Sequence, residues 1–303
     1  MSTDGMSVKV TVRQRSLFPR YIEPKELLLD GMGYGSYESD GFRRDVICGD
    51  TLVAYHKDHI GRGIRVSCYN DEKTYELLLN LPTSSEELED FFQMTARLAK
   101  KAICEVFLNE EPFIPKKFKE MRQKFITYNL KLLHELMSRV LNETPHTISI
   151  GCVFHRLVAG EKEADRMWAG INTDEYRDWM HESQKGRAFF SQARVVHEEE
   201  NDEHIAMFSL PAQQTVIFPN HMELPVRFYD LSTGLPKYDI SRWQVVFLDR
   251  SREKVLGTMR FDEFHRRIPK EKTSYFDAAD TLIEPFSEEE LRLLLEEAGE
   301  LHA

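Results

Sequence analysis

The sequence predicts an α+β fold, with mixed or antiparallel sheets and segregated helices in two packed halves. Three observations lead there. Residues 61–79 hold two strand-like runs, Gly61-Arg62-Gly63-Ile64-Arg65-Val66-Ser67-Cys68-Tyr69 and Lys73-Thr74-Tyr75-Glu76-Leu77-Leu78-Leu79, around a polar Asn70-Asp71 turn. Directly after them, Ser84-Ser85-Glu86-Glu87 opens an amphipathic helix. Short β-rich segments then recur between Pro, Gly and acidic turns in residues 189–248. Strands that pair locally, followed by a capped helix, mark an antiparallel sheet with helices on one face.

The elements follow in order. Val8-Lys9-Val10-Thr11-Val12 alternates apolar with polar residues, as a half-buried strand does. Pro24 begins a short helix through Leu29 that Gly31 stops. Residues 31–41, with four glycines and two tyrosines, read as a flexible surface loop. Leu52-Val53-Ala54-Tyr55 is expected as the strand that enters the 61–79 hairpin. In the helix after Ser85, Leu88, Phe91, Phe92, Thr95, Leu98, Ala99 and Ala102 form one apolar stripe. A second helix is expected over residues 116–141, with Phe118, Met121, Phe125, Leu132, Leu133, Leu136 and Val140 inward.

Thr144-Pro145 ends that helix, so residues 142–146 divide an N-terminal half (1–145) from an acidic C-terminal half (146–303). The turn is short enough for the two to form one continuous unit. Beyond it, residues 147–154 read as a strand and Asn172 or Thr173 as a helix cap. Residues 189–197, 204–210, 214–218, 226–230 and 242–248 read as strands, and 197–204 as an exposed acidic hairpin loop. Ser287-Glu288-Glu289-Glu290 is a capping box before Leu291, Leu294 and Leu295.

Composition narrows the function. The formal net charge is −11 over 303 residues, and residues 151–303 account for −10 of it, with 19 Lys+Arg against 29 Asp+Glu. Such a half repels phosphate backbones, so no nucleic-acid partner is expected. Cysteines 48, 68, 104 and 152 form no paired motif and read as reduced thiols. No basic segment leads into an apolar run at Met1–Met6, and no apolar run nears the roughly 20 residues that span a bilayer. A cytoplasmic protein without a membrane partner is the expectation.

No catalytic residue can be assigned, since the serine-elbow, H-E-x-x-H, P-loop, EF-hand and kinase signatures are absent. His56-Lys57-Asp58-His59 places two imidazoles and a carboxylate within reach of a divalent metal, against the competing reading of a solvated turn. Arg62 and Arg65 are candidates for an anion clamp, against two ordinary hairpin arginines. Trp168, Trp179 and Trp243 can line a groove or fill a core. No cofactor is expected.

Arg62-Gly63-Ile64 and the Leu81-Pro82-Thr83-Ser84-Ser85 helix entry, within residues 61–101, resemble an uncharacterised family of bacterial cytoplasmic proteins. The resemblance implies a bacterial source and carries over no functional residue. The leading expectation is therefore a non-catalytic cytoplasmic protein that binds a protein or peptide through exposed edges. One alternative is a metal-dependent hydrolase built on His56, Asp58 and His59. Another is an acidic antagonist that covers a basic protein surface.

Overall fold

The computed structural model describes residues 7–15, 20–38, 41–101, 104–113, 118–144, 146–170, 172–230 and 232–298. Its contacts cluster into two compact units, one up to Gly186 and one from Arg187. The turn at 142–146 lies within the first unit.

The first unit contains, in order, β1 (Ser7–Gln14), β2 (Met32–Glu38), β3 (Gly41–Arg44), β4 (Thr51–His56), β5 (Ile64–Tyr69), β6 (Thr74–Asn80), α1 (Ser85–Lys101), β7 (Cys104–Leu108) and β8 (Glu111–Phe113). It continues with α2 (Phe118–Asn142), β9 (Ile148–Ile150), β10 (Leu157–Ala159), α3 (Glu161–Trp168) and α4 (Asp174–Lys185). Eight strands form one antiparallel sheet in the order β3-β2-β4-β5-β6-β1-β7-β8, and β9 pairs with β10. The alternation read from Val8 to Val12 sets the faces: Val8, Val10 and Val12 are buried beside Leu77, Leu79, Ile64 and Val66. Leu88, Phe91, Phe92 and Leu98 of α1 and Leu132 of α2 close that core. On the opposite face Arg13 and Arg65 are exposed, as one face of an antiparallel sheet often is.

The predicted loop at 31–41 is corrected. Residues 32–38 are β2, hydrogen-bonded between β3 and β4. Its glycines admit close packing. A Cβ at Gly33 would sit 2.6 Å from the Tyr55 ring, and one at Gly35 would strike the Arg43 carbonyl and the Phe42 ring. The Tyr55 and Phe42 rings occupy the space a Cβ would need, a use of glycine that composition alone disguises as flexibility. The helix after Pro24 is a single 3-10 turn, Pro24–Leu27. Residues 147–154 contribute only the short β9, and Cys152 lies in the loop beyond it. Ala102, Lys116 and Pro145 lie outside the described residues.

The second unit contains β11 (Phe189–Phe190), β12 (Arg194–Glu198), β13 (Glu203–Pro211), β14 (Val216–Pro219), β15 (Ile240–Leu248), β16 (Val255–Arg260), α5 (Phe261–Arg267), β17 (Thr273–Tyr275), β18 (Asp280–Ile283) and α6 (Glu288–Ala298). Two four-stranded mixed sheets, β11-β14-β18-β17 and β12-β13-β15-β16, share one core. Phe208, Phe218, Phe247, Phe261 and Phe264 fill it, with Leu291 and Leu295 of α6. The capping box is realised: Glu290 N–H donates to Ser287 Oγ at 3.1 Å, and Ser287 N–H to Glu290 Oε2 at 2.7 Å. The run 189–197 divides between two sheets, and 226–230 holds a 3-10 turn, Val226–Phe228, where a strand was expected.

Gly35→Ala is expected to destabilise the protein by about 1–3 kcal/mol, because the carbonyl it meets belongs to a paired strand and cannot retreat. Urea denaturation checks this, and an unchanged midpoint would contradict the packing of β2.

Candidate functional site

The polar groups of the first unit concentrate where the β4–β5 connection meets the start of α1. Glu87, in the first turn of α1, is 3% exposed. Its Oε1 accepts the Gly63 N–H at 2.7 Å and its Oε2 the Arg62 N–H at 3.0 Å. The Thr83 hydroxyl donates to the same Oε2. Burial still holds this carboxyl above the usual carboxylate range, with the Thr83, Gly63 and Arg62 donors pulling the other way. Desolvation wins, so the charge is a cost that the fold tolerates.

Arg62 is 4% exposed. Its Nε donates to the Gly151 carbonyl at 3.1 Å, and its Nη1 to the Leu81 carbonyl at 2.9 Å. Around the same turn, the Asn129 amide of α2 brackets Thr83, accepting its N–H at 2.8 Å and donating to its carbonyl at 2.7 Å. Tyr176 of α4 donates to the Pro82 carbonyl at 3.2 Å, and Ser85 N–H to Thr173 Oγ1 at 2.8 Å. Three segments, the β4–β5 connection, α2 and the start of α4, therefore meet at residues 81–87. Arg65, on the open face of β5, is exposed. The fold does not bring the two arginines to a common anion.

His56 and His59 stack face to face, with ring centroids 4.1 Å apart and planes 7° from parallel. In-plane lone pairs on nearly parallel rings do not meet at a point about 2 Å from both nitrogens. Asp58 is exposed, 4.0 Å from His56 Nδ1. His59 instead places Nε2 2.7 Å from Asp90 Oδ2 of α1. Among the described residues no group of three or more His, Cys, Asp or Glu is placed to hold a metal ion. Nearby, burial pushes the His155 imidazole down to about 4, and its Nδ1 lies 3.0 Å from Gln184 Nε2. Burial likewise pushes the Cys68 thiol up to about 12, which makes it a poor nucleophile.

An exposed groove of the unit lies elsewhere. One stripe of α2, running through Thr127, Leu130, Lys131, His134 and Ser138, forms an open groove of about 660 Å³ with Trp168 at the end of α3. Trp168 is 49% exposed and meets the His134 ring edge to face at 5.6 Å. His134 is fixed by its Nε2–H, which donates to the Gly170 carbonyl at 3.0 Å. Trp179 is buried and Trp243 packs against the core of the second unit, so the groove reading of the tryptophans applies to Trp168 alone. The His59–Asp90 pair, the Glu87 hub and α3 itself were missed. A signal for α3 was present, since Glu161 and Glu163 stand in its first turn and Arg166 in its last.

These observations define a two-unit α+β protein in which the buried side chains of Glu87 and Arg62 bind the chain's own backbone. The chain belongs to the DUF4299 family, a domain of unknown function, whose family model matches residues 7–294 and so runs through both units. Nothing among curated proteins or solved structures matches it. No helix among the described residues is long and apolar enough to cross a membrane.

Glu87→Ala leaves buried donors without an acceptor and is expected to cost about 3–5 kcal/mol in urea denaturation. A loss below about 1 kcal/mol would contradict the hub.

A second expectation concerns pH. Burial opposes the charged His59 ring, but the hydrogen bond and charge of Asp90, with Glu87 and Glu86 beyond, raise its pKa. Folding thus tightens proton binding, so the stabilisation is complete below the unfolded value of about 6.5 and fades as pH rises through the folded one. His59→Gln should cost more stability at pH 6 than at pH 9, and equal losses would contradict this.

Proposed function

We propose that this is a non-catalytic cytoplasmic protein of bacterial origin that acts by binding another protein or a peptide. The observation that carries the reading is Trp168, half exposed beside Leu130 along a groove that His134 stiffens. Tryptophan in such a setting offers a large rigid apolar surface, and truncation of aromatic anchors of this kind commonly costs about 2 kcal/mol of binding or more. Lys131 and Glu135 flank the stripe as an ion pair at 3.4 Å and supply a polar rim. The ionisable groups of the same unit support binding over chemistry, because Glu87, Arg62 and His59 are each taken up by internal partners. The free thiols of Cys48, Cys68 and Cys152 suit a reducing compartment.

Peptides selected from a random display library on the wild-type protein test this. Those peptides should bind Trp168→Ala about 30-fold more weakly, which corresponds to about 2 kcal/mol, while its thermal midpoint stays near wild type. Selection that yields no peptide, or peptides indifferent to Trp168→Ala and Leu130→Ala, would overturn the reading.

A further inference from the structure

The connection between β14 and β15, residues 220–239, is longer than the roughly 12–15 residues at which loops without regular structure become uncommon. Hydrogen bonds join described residues on its two sides. Tyr229 bridges Pro236, Lys237 N–H donates to the Phe228 carbonyl at 2.8 Å, and Asp230 N–H to the Leu235 carbonyl at 2.8 Å. This small hairpin displays Val226 at 65% and Leu235 at 64% exposure, on either side of the bridge. Two aliphatic side chains this far into water gain nothing for folding.

Two cations stand in the same connection and a third on β12. Arg227 lies over the Phe228 ring at 4.8 Å and reaches Gln192 Oε1 at 3.3 Å. Lys237 donates from Nζ to the Arg227 carbonyl at 3.0 Å, and Arg194 projects from the neighbouring edge strand β12. Among the described residues none of the three makes an ion pair, although residues 151–303 carry ten more acids than bases. Desolvation lowers the Arg227 pKa, and the Arg194 charge lowers it further, as expected of cations gathered without a counter-ion. The acid that Lys237 influences, Asp230, spends Oδ1 on the Ser232 N–H and hydroxyl.

We propose that this hairpin and β12 dock an acidic peptide segment of a partner protein, its carboxylates on Arg194, Arg227 and Lys237 and its apolar side chains on Val226 and Leu235. Charge complementarity selects an anionic partner, and the aliphatic pair selects one with apolar side chains between the charges. A nucleic acid offers no such side chains and meets the repulsion of the acidic half. An anionic membrane gains only about 1 kcal/mol from each of three basic residues, against a chain of net charge −11. The inference deepens the binding reading by naming the partner's chemistry, and it uses none of the Trp168 groove.

The test is fluorescence anisotropy on the full chain. The probes are a labelled dodecapeptide of alternating Glu and Leu, its Lys/Leu and Glu/Ser counterparts, a single-stranded oligonucleotide and phosphatidylserine vesicles. The Glu/Leu peptide should bind best and weaken at least tenfold in R227A/K237A, tenfold in V226S/L235S, and on a tenfold rise in salt. Trp168→Ala should leave this binding unchanged, so failure of the groove and failure of the hairpin read out separately. Equal or stronger binding of the Lys/Leu or Glu/Ser peptide, the oligonucleotide or the vesicles would overturn the proposal. So would full affinity in both double variants.

Discussion

A single carboxylate sealed from water organises the first unit. A buried carboxylate costs several kcal/mol unless donors compensate, and Glu87 finds them in the N–H groups of Arg62 and Gly63, more than twenty residues away, and in the Thr83 hydroxyl one turn before it. The guanidinium of Arg62 returns the favour to the backbone, taking carbonyls of residues 81 and 151. Because burial still raises Glu87, these hydrogen bonds do not make the charge a bargain. What they secure is uniqueness. With either partner moved, several buried polar groups lose their match at once, so the β4–β5 connection, the start of α1, and the Asn129 and Tyr176 contacts have one mutual arrangement.

Much of this fold was legible because local patterns and burial coincide. The alternation of Val8 to Val12, the Asn70-Asp71 turn, the Leu88 to Leu98 stripe and the Ser287 capping box each describe a face or an end that the chain then uses. Residues 31–41 failed for a physical reason. Glycines that receive aromatic rings look, in composition, like glycines that flex, and the Tyr55 and Phe42 rings that decide the matter come from other strands. Likewise Cys152 belongs to a loop because Arg62 captures the Gly151 carbonyl, which ends the strand early.

The candidate residues divide in the same way. Arg62 and His59 stood out as ionisable groups in a hairpin, yet their partners lie at Glu87, Asp90, Leu81 and Gly151, which spacing cannot foretell. The segments that resemble a known family, residues 62–64 and 81–85, turn out to be the two sides of the Glu87 hub, so their distinctiveness is architectural. The proposed function rests on what the fold leaves outward: an exposed tryptophan on one unit, and on the other exposed aliphatics beside cations that make no ion pair among the described residues. Both suit recognition of another chain.

Amide hydrogen exchange at Arg62 and Gly63 measures the central claim most directly, since these two N–H groups are the ones that Glu87 accepts. They lie in a connection between strands, where exchange is ordinarily fast. The hub requires them to exchange only with global unfolding of their unit, as slowly as Val10 or Leu77 in the sheet core. Exchange as rapid as that of the exposed turn at 70–73 would mean that the carboxylate holds nothing in place.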